Sequence, residues 1–314
     1  MAAARTLQER GYAPVVFDKG RGPGGRLSSK RTELGSLDLG AQYATAKNPE
    51  FRAAVFSWLR AEVARRWSVT PIVRPRPRKR WQPKGPARYV GIPRMGAVAH
   101  HLAEGLDRRS GVTVAAVEAD DAGITVRDDN GEGLGRFDHV IVTTPAPQAQ
   151  RIAPPQDGDA AAAIAAIEFA PCWVAAFDIP GCEDLPDAGF INKGPIQWLV
   201  RHGAKPEHDG ESVWVVHAGP DWSREWLEAS ADDAAAGLWA ALREQWPSLP
   251  DAPAARLAHR WRYARVLNPL ERGTLTDTNG ISYAGDWVAD GRLEGAWLSG
   301  RRAAQRLLEP GGQK

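Results

Sequence analysis

Imidazole, indole and phenol side chains alternate with two arginines in the string His259-Arg260-Trp261-Arg262-Tyr263. On an extended strand successive side chains point to opposite faces, so the rings share one face and the guanidinium groups the other. Rings on one face can stack on and orient a flat ligand, and in such sites a cofactor carries the chemistry. The pattern predicts a pocket for a planar ring. A His259 that only packs in the core is the alternative.

Three further side chains would complete this pocket if the ring-bearing face is turned to the ligand: Gln42, Trp198 and Trp287. The chain has thirteen tryptophans and five tyrosines. Indoles can line a pocket for an aromatic ligand, and they can also simply fill the core.

A glycine- and arginine-rich segment follows the strand predicted over Pro14-Val15-Val16-Phe17. The pattern G-x-G-x-x-G occurs in it at Gly20, Gly22 and Gly25. Such a pattern binds pyrophosphate when it opens a helix, but Arg26–Arg31 has no apolar helical periodicity. Asp18 is better placed, because a carboxylate at the end of this strand accepts hydrogen bonds from the adenosine ribose in dinucleotide folds. An Asp that only ends the strand in a turn is the alternative.

Composition excludes several classes of protein. Forty Lys and Arg residues face thirty-eight Asp and Glu residues, for a net charge of +2, which argues against a general polyanion binder. No apolar stretch could span a bilayer, and the first residues lack a signal core, so we expect a cytoplasmic protein. Cys172 and Cys182 make neither a disulfide framework nor a zinc site, and we predict no metal.

Periodicity predicts two interleaved domains, because the chain leaves one sheet domain, builds another and returns. A first helix covers 2–10, apolar residues at helical spacing predict a helix over 50–67, and a last helix covers 295–308. The apolar run ending at Val142 is typical of a buried parallel strand. Strands between about 170 and 263 alternate more and surround a helical stretch over 221–246, which predicts a mainly antiparallel domain.

The spacing from Asp18 through Gly24-Gly25-Arg26 to Ser29 resembles the second nucleotide-binding motif of flavin amine oxidases and their relatives. These proteins have a Rossmann-like FAD domain of the glutathione reductase type. In physical terms, the glycines let the backbone approach a cofactor, and Arg26 places a fixed cation beside its phosphates. The resemblance implies a non-covalent FAD, since neither cysteine lies near the expected dimethylbenzene edge.

Four more segments resemble the same family. Leu39 to Tyr43 is similar to the turn that passes the isoalloxazine, and Val140 to Pro145 to the strand and T-x-P turn near the adenine. Gly285-Asp286 is similar to the pair that contacts the ribityl chain or pyrophosphate, and Gly295-Ala296 to the start of the last helix, whose positive end can stabilise a reduced flavin. The cofactor-binding residues that the resemblance implies are Asp18, Lys19, Gly24, Gly25, Arg26, Gln42, Tyr43, Thr144, Gly285, Asp286, Glu294, Gly295 and Ala296.

Within that superfamily the chain most resembles the bacterial renalases, through strings such as Trp261-Arg262-Tyr263-Ala264 and Gly295-Ala296-Trp297-Leu298-Ser299-Gly300. Renalases transfer hydride from isomeric dihydronicotinamides to FAD and then to O2, giving NAD(P)+ and H2O2. The resemblance implies a dihydronicotinamide and O2 as partners, with His259, Trp261, Tyr263 and Trp198 at the reacting ring. It implies a FAD-binding domain over 1–45, 92–150 and 268–314 and a substrate domain over 46–91 and 151–267.

The chain departs from the family at its start. The family begins with a strand and a G-x-G-x-x-G turn, whereas in this sequence Met1 is predicted to lie already in the helix that should follow that turn. We expect either a start codon further upstream or a degenerate copy, and the otherwise intact pattern favours the first. Loss of those backbone donors would weaken FAD binding.

Other functions stay open. A flavin amine oxidase would have the same fold, with an aromatic cage guiding a neutral amine. An inactive truncated flavoprotein is another reading. A nucleic-acid binding protein could use Arg74 to Arg80 with Trp67 and Trp81 as stacking platforms, although a solvated basic loop at the domain junction is the favoured interpretation of that segment. We expect no nucleic acid and no membrane as partners; the oligomeric state does not follow from the sequence.

Overall fold

The structure is a computed structural model that describes residues 1–74 and 85–309. The chain forms two compact units, each assembled from separate segments. The first unit comprises Met1–Gly25, Ala99–Glu168 and Val266–Lys314, and the second comprises Arg26–Val98 and Phe169–Arg265. The chain therefore passes from one unit to the other four times, as the predicted interleaving requires.

The helices and strands are numbered in chain order. The α-helices are α1 (Ala2–Gln8), α2 (Pro49–Arg60), α3 (Gly96–Ala103), α4 (Ala146–Ile152), α5 (Gly158–Ala165), α6 (Pro220–Glu225), α7 (Ala231–Gln245) and α8 (Leu293–Leu308). The strands are β1 (Val15–Asp18), β2 (Lys30–Thr32), β3 (Gly35–Leu37), β4 (Ala64–Trp67), β5 (Ile72–Val73), β6 (Arg88–Gly91), β7 (Asp107–Ser110), β8 (Val114–Asp120), β9 (Gly123–Asp128), β10 (Gly133–Phe137), β11 (Val140–Val142), β12 (Phe169–Asp178), β13 (Ala188–Lys193), β14 (Ile196–Arg201), β15 (Val213–Ala218), β16 (Ala255–Val266), β17 (Leu275–Thr276) and β18 (Ile281–Tyr283).

The first unit contains short parallel strand pairs. β1 pairs with β7 in parallel, and β11 pairs in parallel with β18, whose other edge takes β17 antiparallel. β8, β9 and β10 form a separate antiparallel sheet. The parallel pairing of β11 confirms the expectation from its apolar run. Among the described residues, β1 and β11 each pair along one edge only.

Two helices distant in sequence pack together in the first unit. α8 buries Trp297, Gly300, Ala304 and Leu307, whose spacing of three and four places them on one face. α1 packs against α8, and Gly300 faces Ala3, where a Cβ would lie 3.4 Å from the backbone nitrogen. Small residues here let the two helices approach closely. α8 begins at Leu293, two residues before the predicted start.

The second unit is built on a six-stranded sheet in the order β16-β12-β15-β14-β13-β5. The pairs β12–β15, β15–β14 and β14–β13 are antiparallel, as predicted, and β13–β5 is parallel. α7 covers this sheet, and Trp239 contacts Phe177 with ring centroids 5.1 Å apart. The predicted helix over 221–246 is two helices, because residues 226–230 separate α6 from α7.

The predicted helix over 50–67 is wrong in its second half. Asn48 caps α2 by accepting from the Glu50 backbone N–H at 2.8 Å, and Pro49 fits the first turn. α2 ends at Arg60 because Glu62 takes a left-handed φ of 56°, which no helix continues. Ala64–Trp67 then forms β4 against β6. Val63 has the right spacing for the helical face, which is what misled the sequence analysis.

The predicted domain boundaries and the compact units divide the chain differently. Residues 26–45 and 92–98, assigned by resemblance to a FAD-binding domain, lie in the second unit, and 151–168 lies in the first. The functional roles of the two domains stay predictions. Among the described residues, no helix combines the length and the apolar character needed to cross a bilayer.

Candidate functional site

The alternation predicted for β16 is present in the structure. Arg260 and Arg262 both pair with Glu228, at 3.2 and 2.7 Å. Trp261 instead donates from its indole nitrogen to the Leu39 carbonyl at 2.7 Å, and the His259 ring stands edge-on to it with centroids 4.6 Å apart. The strand thus separates a charged, solvent-facing row from a row of rings. Further along the strand, the Tyr263 ring contacts the Phe169 ring edge-on, with centroids 5.8 Å apart.

A lysine joins the ring-bearing face. The Lys30 ammonium on β2 lies 3.0 Å from each ring nitrogen of His259 and 5.6 Å from the Trp261 ring centroid. Burial lowers the pKa of Lys30. Burial, and then the positive charge of Lys30, lower the pKa of His259 to about 4, so its ring is neutral at pH 7 and can accept from the ammonium. Lys30 was not among the predicted site residues, because it lies 229 positions from its partner His259 and the sequence holds no local sign of the contact.

Trp198 on β14, which was predicted to lie at the reacting ring, packs in a second cluster of rings. Its ring lies 4.6 Å from Phe190 and 5.7 Å from Tyr43, centroid to centroid. Arg88 covers the Tyr43 ring at 5.2 Å. The buried Trp198 indole nitrogen finds no hydrogen-bond partner among the described residues. Trp198 and Tyr43 therefore lie together, and the expected position of Trp198 at the reacting ring stays a prediction.

Backbone contacts hold Arg26 to the turn Leu39–Tyr43. The Ala41 N–H donates to the Arg26 carbonyl at 2.9 Å, and a Cβ at Gly40 would overlap that same oxygen. Gly40 is therefore a position where only hydrogen fits. The Arg26 guanidinium donates to the Ala264 carbonyl at 3.0 Å. Its expected contact with cofactor phosphates stays a prediction.

A fully buried polar network, which the sequence analysis missed, anchors the same turn. Its members are Asp38, Gln42, His202, Lys205 and His208. The Lys205 ammonium lies 3.0 Å from Asp38 Oδ2 and 2.8 Å from Gln42 Oε1. His208 Nε2 lies 2.9 Å from Asp38 Oδ2, and its other ring nitrogen faces the Pro206 carbonyl at 2.8 Å. Predicted Gln42 thus has its carboxamide oxygen held by a buried cation.

The charges of this network stabilise one another. Burial alone would raise the pKa of Asp38, but the Lys205 ammonium and the hydrogen bond from His208 hold the pKa of Asp38 well below its usual value. Burial lowers the pKa of Lys205, and the Asp38 carboxylate opposes that shift. The only signal in the sequence is the spacing of His202, Lys205 and His208, three residues apart each time.

Three members of this network have the side chains of a metal site. The ligand atoms of Asp38, His202 and His208 lie within 4.8 Å of one another. However, Lys205 already supplies a cation to Asp38 Oδ2, and His202 Nε2 already accepts the Asp38 backbone N–H at 3.2 Å. The group is satisfied by its own hydrogen bonds, so it carries no inference of a metal.

In the first unit, predicted cofactor residues cluster around the β18 end. The Ser299 hydroxyl binds both the N–H and the carbonyl of Gly285, each at 2.9 Å. Gly285 has a φ of 145°, and Asp286 after it is buried. Trp287 donates to the Thr144 carbonyl at 3.0 Å, which joins the T-x-P turn to the Gly-Asp turn.

The remaining predicted residues of the first unit lie at two turns. Asp18 Oδ1 accepts the Gly20 N–H at 2.8 Å, so this carboxylate shapes the turn after β1. Lys19, in the same turn, is exposed. Gly24 and Gly25 have φ values of 108° and 54°. Gly25 starts a single 3-10 turn and not an α-helix, as expected for a pattern that is no pyrophosphate loop. The others, Glu294, Gly295 and Ala296, lie in the first turn of α8.

The basic segment gives little support for nucleic-acid binding. Trp67, a proposed stacking platform, is 4% exposed and donates to the Ala204 carbonyl at 2.8 Å, so that assignment is wrong. Arg74 lies over the Trp246 ring at 4.6 Å. The other residues predicted to bind nucleic acid, 75–80 and Trp81, lie outside the described residues.

Two observations within the first unit fit a flavin cofactor. The buried Thr144 hydroxyl has no partner among the described residues. The Gly24-Gly25 turn has open space where a side chain at Gly25 would stand. Unsatisfied buried donors and acceptors are costly, and ligand groups commonly satisfy them.

Comparison with known proteins supports this reading. Residues 73–308 match the family model for flavin containing amine oxidoreductases, and residues 1–57 match that for an NAD(P)-binding Rossmann-like domain. Putrescine oxidase with bound putrescine is similar over 98% of this chain and 96% of that one, at 15% identity and a TM-score of 0.68. A candidate protoporphyrinogen oxidase from Exiguobacterium sp. 255-15 is similar over 98% and 95%, at 12% identity and a TM-score of 0.72.

Proposed function

Because the chain belongs to the flavin containing amine oxidoreductase family, we propose that it is a FAD-dependent oxidase of the renalase type. Its substrate would be an isomeric dihydronicotinamide form of NAD(P)H. The substrate gives up a hydride and becomes NAD(P)+, and O2 takes up that hydride with one proton and becomes H2O2. The family assignment accounts for the flavin and the oxidoreductase class, and the substrate is the new element.

The observation that carries the substrate assignment is the face formed by His259, Trp261 and Lys30. It offers flat rings for stacking and one positive charge, and no carboxylate pairs with Lys30 among the described residues. A dihydropyridine ring is flat and needs no general base, because its nitrogen lone pair expels the hydride. A neutral His259 and an aromatic wall suit that chemistry.

Bound FAD would supply the hydride acceptor and the route of electrons to O2. The chain would hold it through the residues that resemble the family's motifs. These are Asp18, Lys19, Gly24, Gly25 and Arg26, then Gln42, Tyr43 and Thr144, and finally Gly285, Asp286, Glu294, Gly295 and Ala296. Attachment would be non-covalent. Burial raises the pKa of the Cys172 thiol to about 12, so this thiol stays protonated and unreactive at neutral pH.

The residues of the chain would act by orientation and exclusion of water. The network around Asp38 fixes the carboxamide of Gln42, and the Arg26 carbonyl fixes the backbone of the same turn. Trp261, held by its bond to Leu39, presents an indole in a defined orientation. Groups held in place before the ligand binds lose less entropy on binding, which is how such a site would favour hydride transfer.

Anaerobic mixing tests the proposal. The purified chain should show a flavin absorption spectrum, which a dihydronicotinamide isomer should bleach within seconds. Admission of O2 should restore the spectrum with one H2O2 formed per turnover. Bleaching by primary or secondary amines and not by the dihydronicotinamides would refute the proposed substrate. Absence of a flavin spectrum after reconstitution with FAD would refute the oxidase itself.

An amine oxidase is the second candidate, and the family match and the similarity to putrescine oxidase favour it. Such an enzyme must accommodate a substrate that is cationic in solution. The ammonium of Lys30 beside Trp261, which has no carboxylate partner among the described residues, would repel that cation at short range. The same anaerobic experiment, with a panel of amines, separates the two candidates.

A further inference from the structure

Lys30 is a cation whose charge the described protein does not neutralise. Lys205, by contrast, pairs with Asp38 at 3.0 Å. The ion pairs of the described residues do not include Lys30, and its contacts are a neutral imidazole and an indole face. Partial burial makes such a charge costly, because the protein has removed water from it without supplying an anion.

The geometry leaves donors free for a ligand. An ammonium has three N–H groups. His259 can accept one of them, whichever ring nitrogen is unprotonated. Lys30 lies on β2 and Trp261 on β16, and the Leu39 carbonyl fixes the Trp261 indole. A phosphate that approached this face of Trp261 would therefore meet a cation that lies 5.6 Å from the ring centroid.

We propose that Lys30, with His259 and Trp261, forms a phosphate-binding subsite that receives the 5′-phosphate of a nicotinamide nucleotide substrate. The inference rests on the proposed function and adds to it the part of the substrate that is recognised. A phosphate forms short, charge-assisted hydrogen bonds with an ammonium, and Lys is a frequent phosphate ligand. The subsite would select phosphorylated over unphosphorylated nicotinamide compounds and would disfavour amines.

The test compares nicotinamide mononucleotide with nicotinamide riboside, which differ by that phosphate alone. Dissociation constants are measured on the flavin-loaded protein from the perturbation of the flavin spectrum, without turnover. The wild type should bind the mononucleotide roughly ten-fold tighter or more. Lys30→Met should remove most of this preference, and Lys30→Arg should retain part of it. Arg31→Met, which removes the exposed neighbouring cation, should leave it intact.

Three results would overturn the subsite. The first is a wild type that binds both compounds equally, which leaves the proposed function standing. The second is evidence that Lys30 does not bind the substrate phosphate. Either a folded Lys30→Met keeps the preference for the mononucleotide, or Lys30→Met loses flavin while Arg31→Met retains it. The loss of flavin would mean that Lys30 binds a phosphate of the cofactor. The third is binding of neither compound by the wild type, which would refute the proposed function together with the subsite.

Discussion

Asp38 shows how a single buried charge can organise a turn that bears candidate ligand-binding residues. Its carboxylate and carbonyl face Lys205, His208, Ser29 and Gln42. The turn Leu39–Tyr43 follows it directly, so any shift of Asp38 moves Gln42 and Tyr43. A satisfied network of this kind specifies one conformation more strongly than an apolar contact would, because each unsatisfied member would be costly.

Asp38→Asn should destabilise the protein by about 3–5 kcal/mol at pH 7, because Lys205 and His208 would remain buried without their counter-charge. Urea unfolding measures this difference. Asp184→Asn, at an exposed site, should change the free energy of unfolding by less than about 0.5 kcal/mol. A cost below about 1 kcal/mol for Asp38→Asn would mean that the network does not stabilise the fold.

The same residue predicts a pH dependence with a defined sign. Folding lowers the pKa of Asp38 below the unfolded value of about 3.9, so its ionised form is the stabilised one. That contribution is complete above about pH 4 and is lost as the pH falls through the lowered pKa. Acid titration of stability should therefore be less steep below pH 4 in Asp38→Asn than in the wild type. Parallel curves would contradict the assignment.

Gly40 tests the close approach of two backbone segments. Ala at this position would overlap the Arg26 carbonyl, which has no freedom to swing away as a side chain has. Gly40→Ala should cost about 1–3 kcal/mol and weaken flavin retention. Gly158→Ala, in α5 with open space around its Cβ, is the matched control and should be neutral or slightly stabilising. Equal thermal midpoints for the two variants would refute the steric argument.

At the scale of elements, β16 places two kinds of side chain on opposite faces. Under the proposed function, Trp261→Ala/Tyr263→Ala should abolish or strongly reduce turnover of dihydronicotinamides, because it removes rings from the row proposed to face the ligand. The control Arg260→Ala/Arg262→Ala removes the row that pairs with Glu228 and should leave turnover nearly unchanged. Steady-state rates and flavin content of both double variants decide between the rows. Similar loss in both would show that the strand serves only the fold.

Sequence periodicity predicted such elements well because it reports burial of one face. It identified β16 with its alternation, the parallel strand β11 and the helices α1 and α8. It failed over 61–67, where a left-handed Glu62 breaks a pattern that looks continuous. It could not reveal the Asp38 network or the Lys30–His259 contact, because these join residues 163 to 229 positions apart. The spacing of His202, Lys205 and His208 does not identify Asp38 as their partner.

At the scale of the whole molecule, neither compact unit is a continuous stretch of chain. A split into 1–168 and 169–314 separates α1 from α8 and β11 from β18 in the first unit, and β2 from β16 in the second. We expect neither fragment to show a cooperative thermal transition alone, since each would expose cores that the other covers. Circular dichroism melts of the fragments and the intact chain measure this. A cooperative melt of either fragment would show an independently folding half.

The packing of α1 against α8 also bears on how the protein is made. Ribosomes add roughly 5–20 residues per second, so on the order of 15–60 s separate the synthesis of these two helices. During that interval α8 cannot yet cover the face of α1 that packs on it, although residues 101–105, which accept hydrogen bonds from Arg5 and Gln8, are already present. Every segment of the second unit has also been synthesised before α8 begins. Until the sixteen residues of α8 follow, the nascent chain therefore exposes to chaperones the face of α1 that α8 covers in the folded unit.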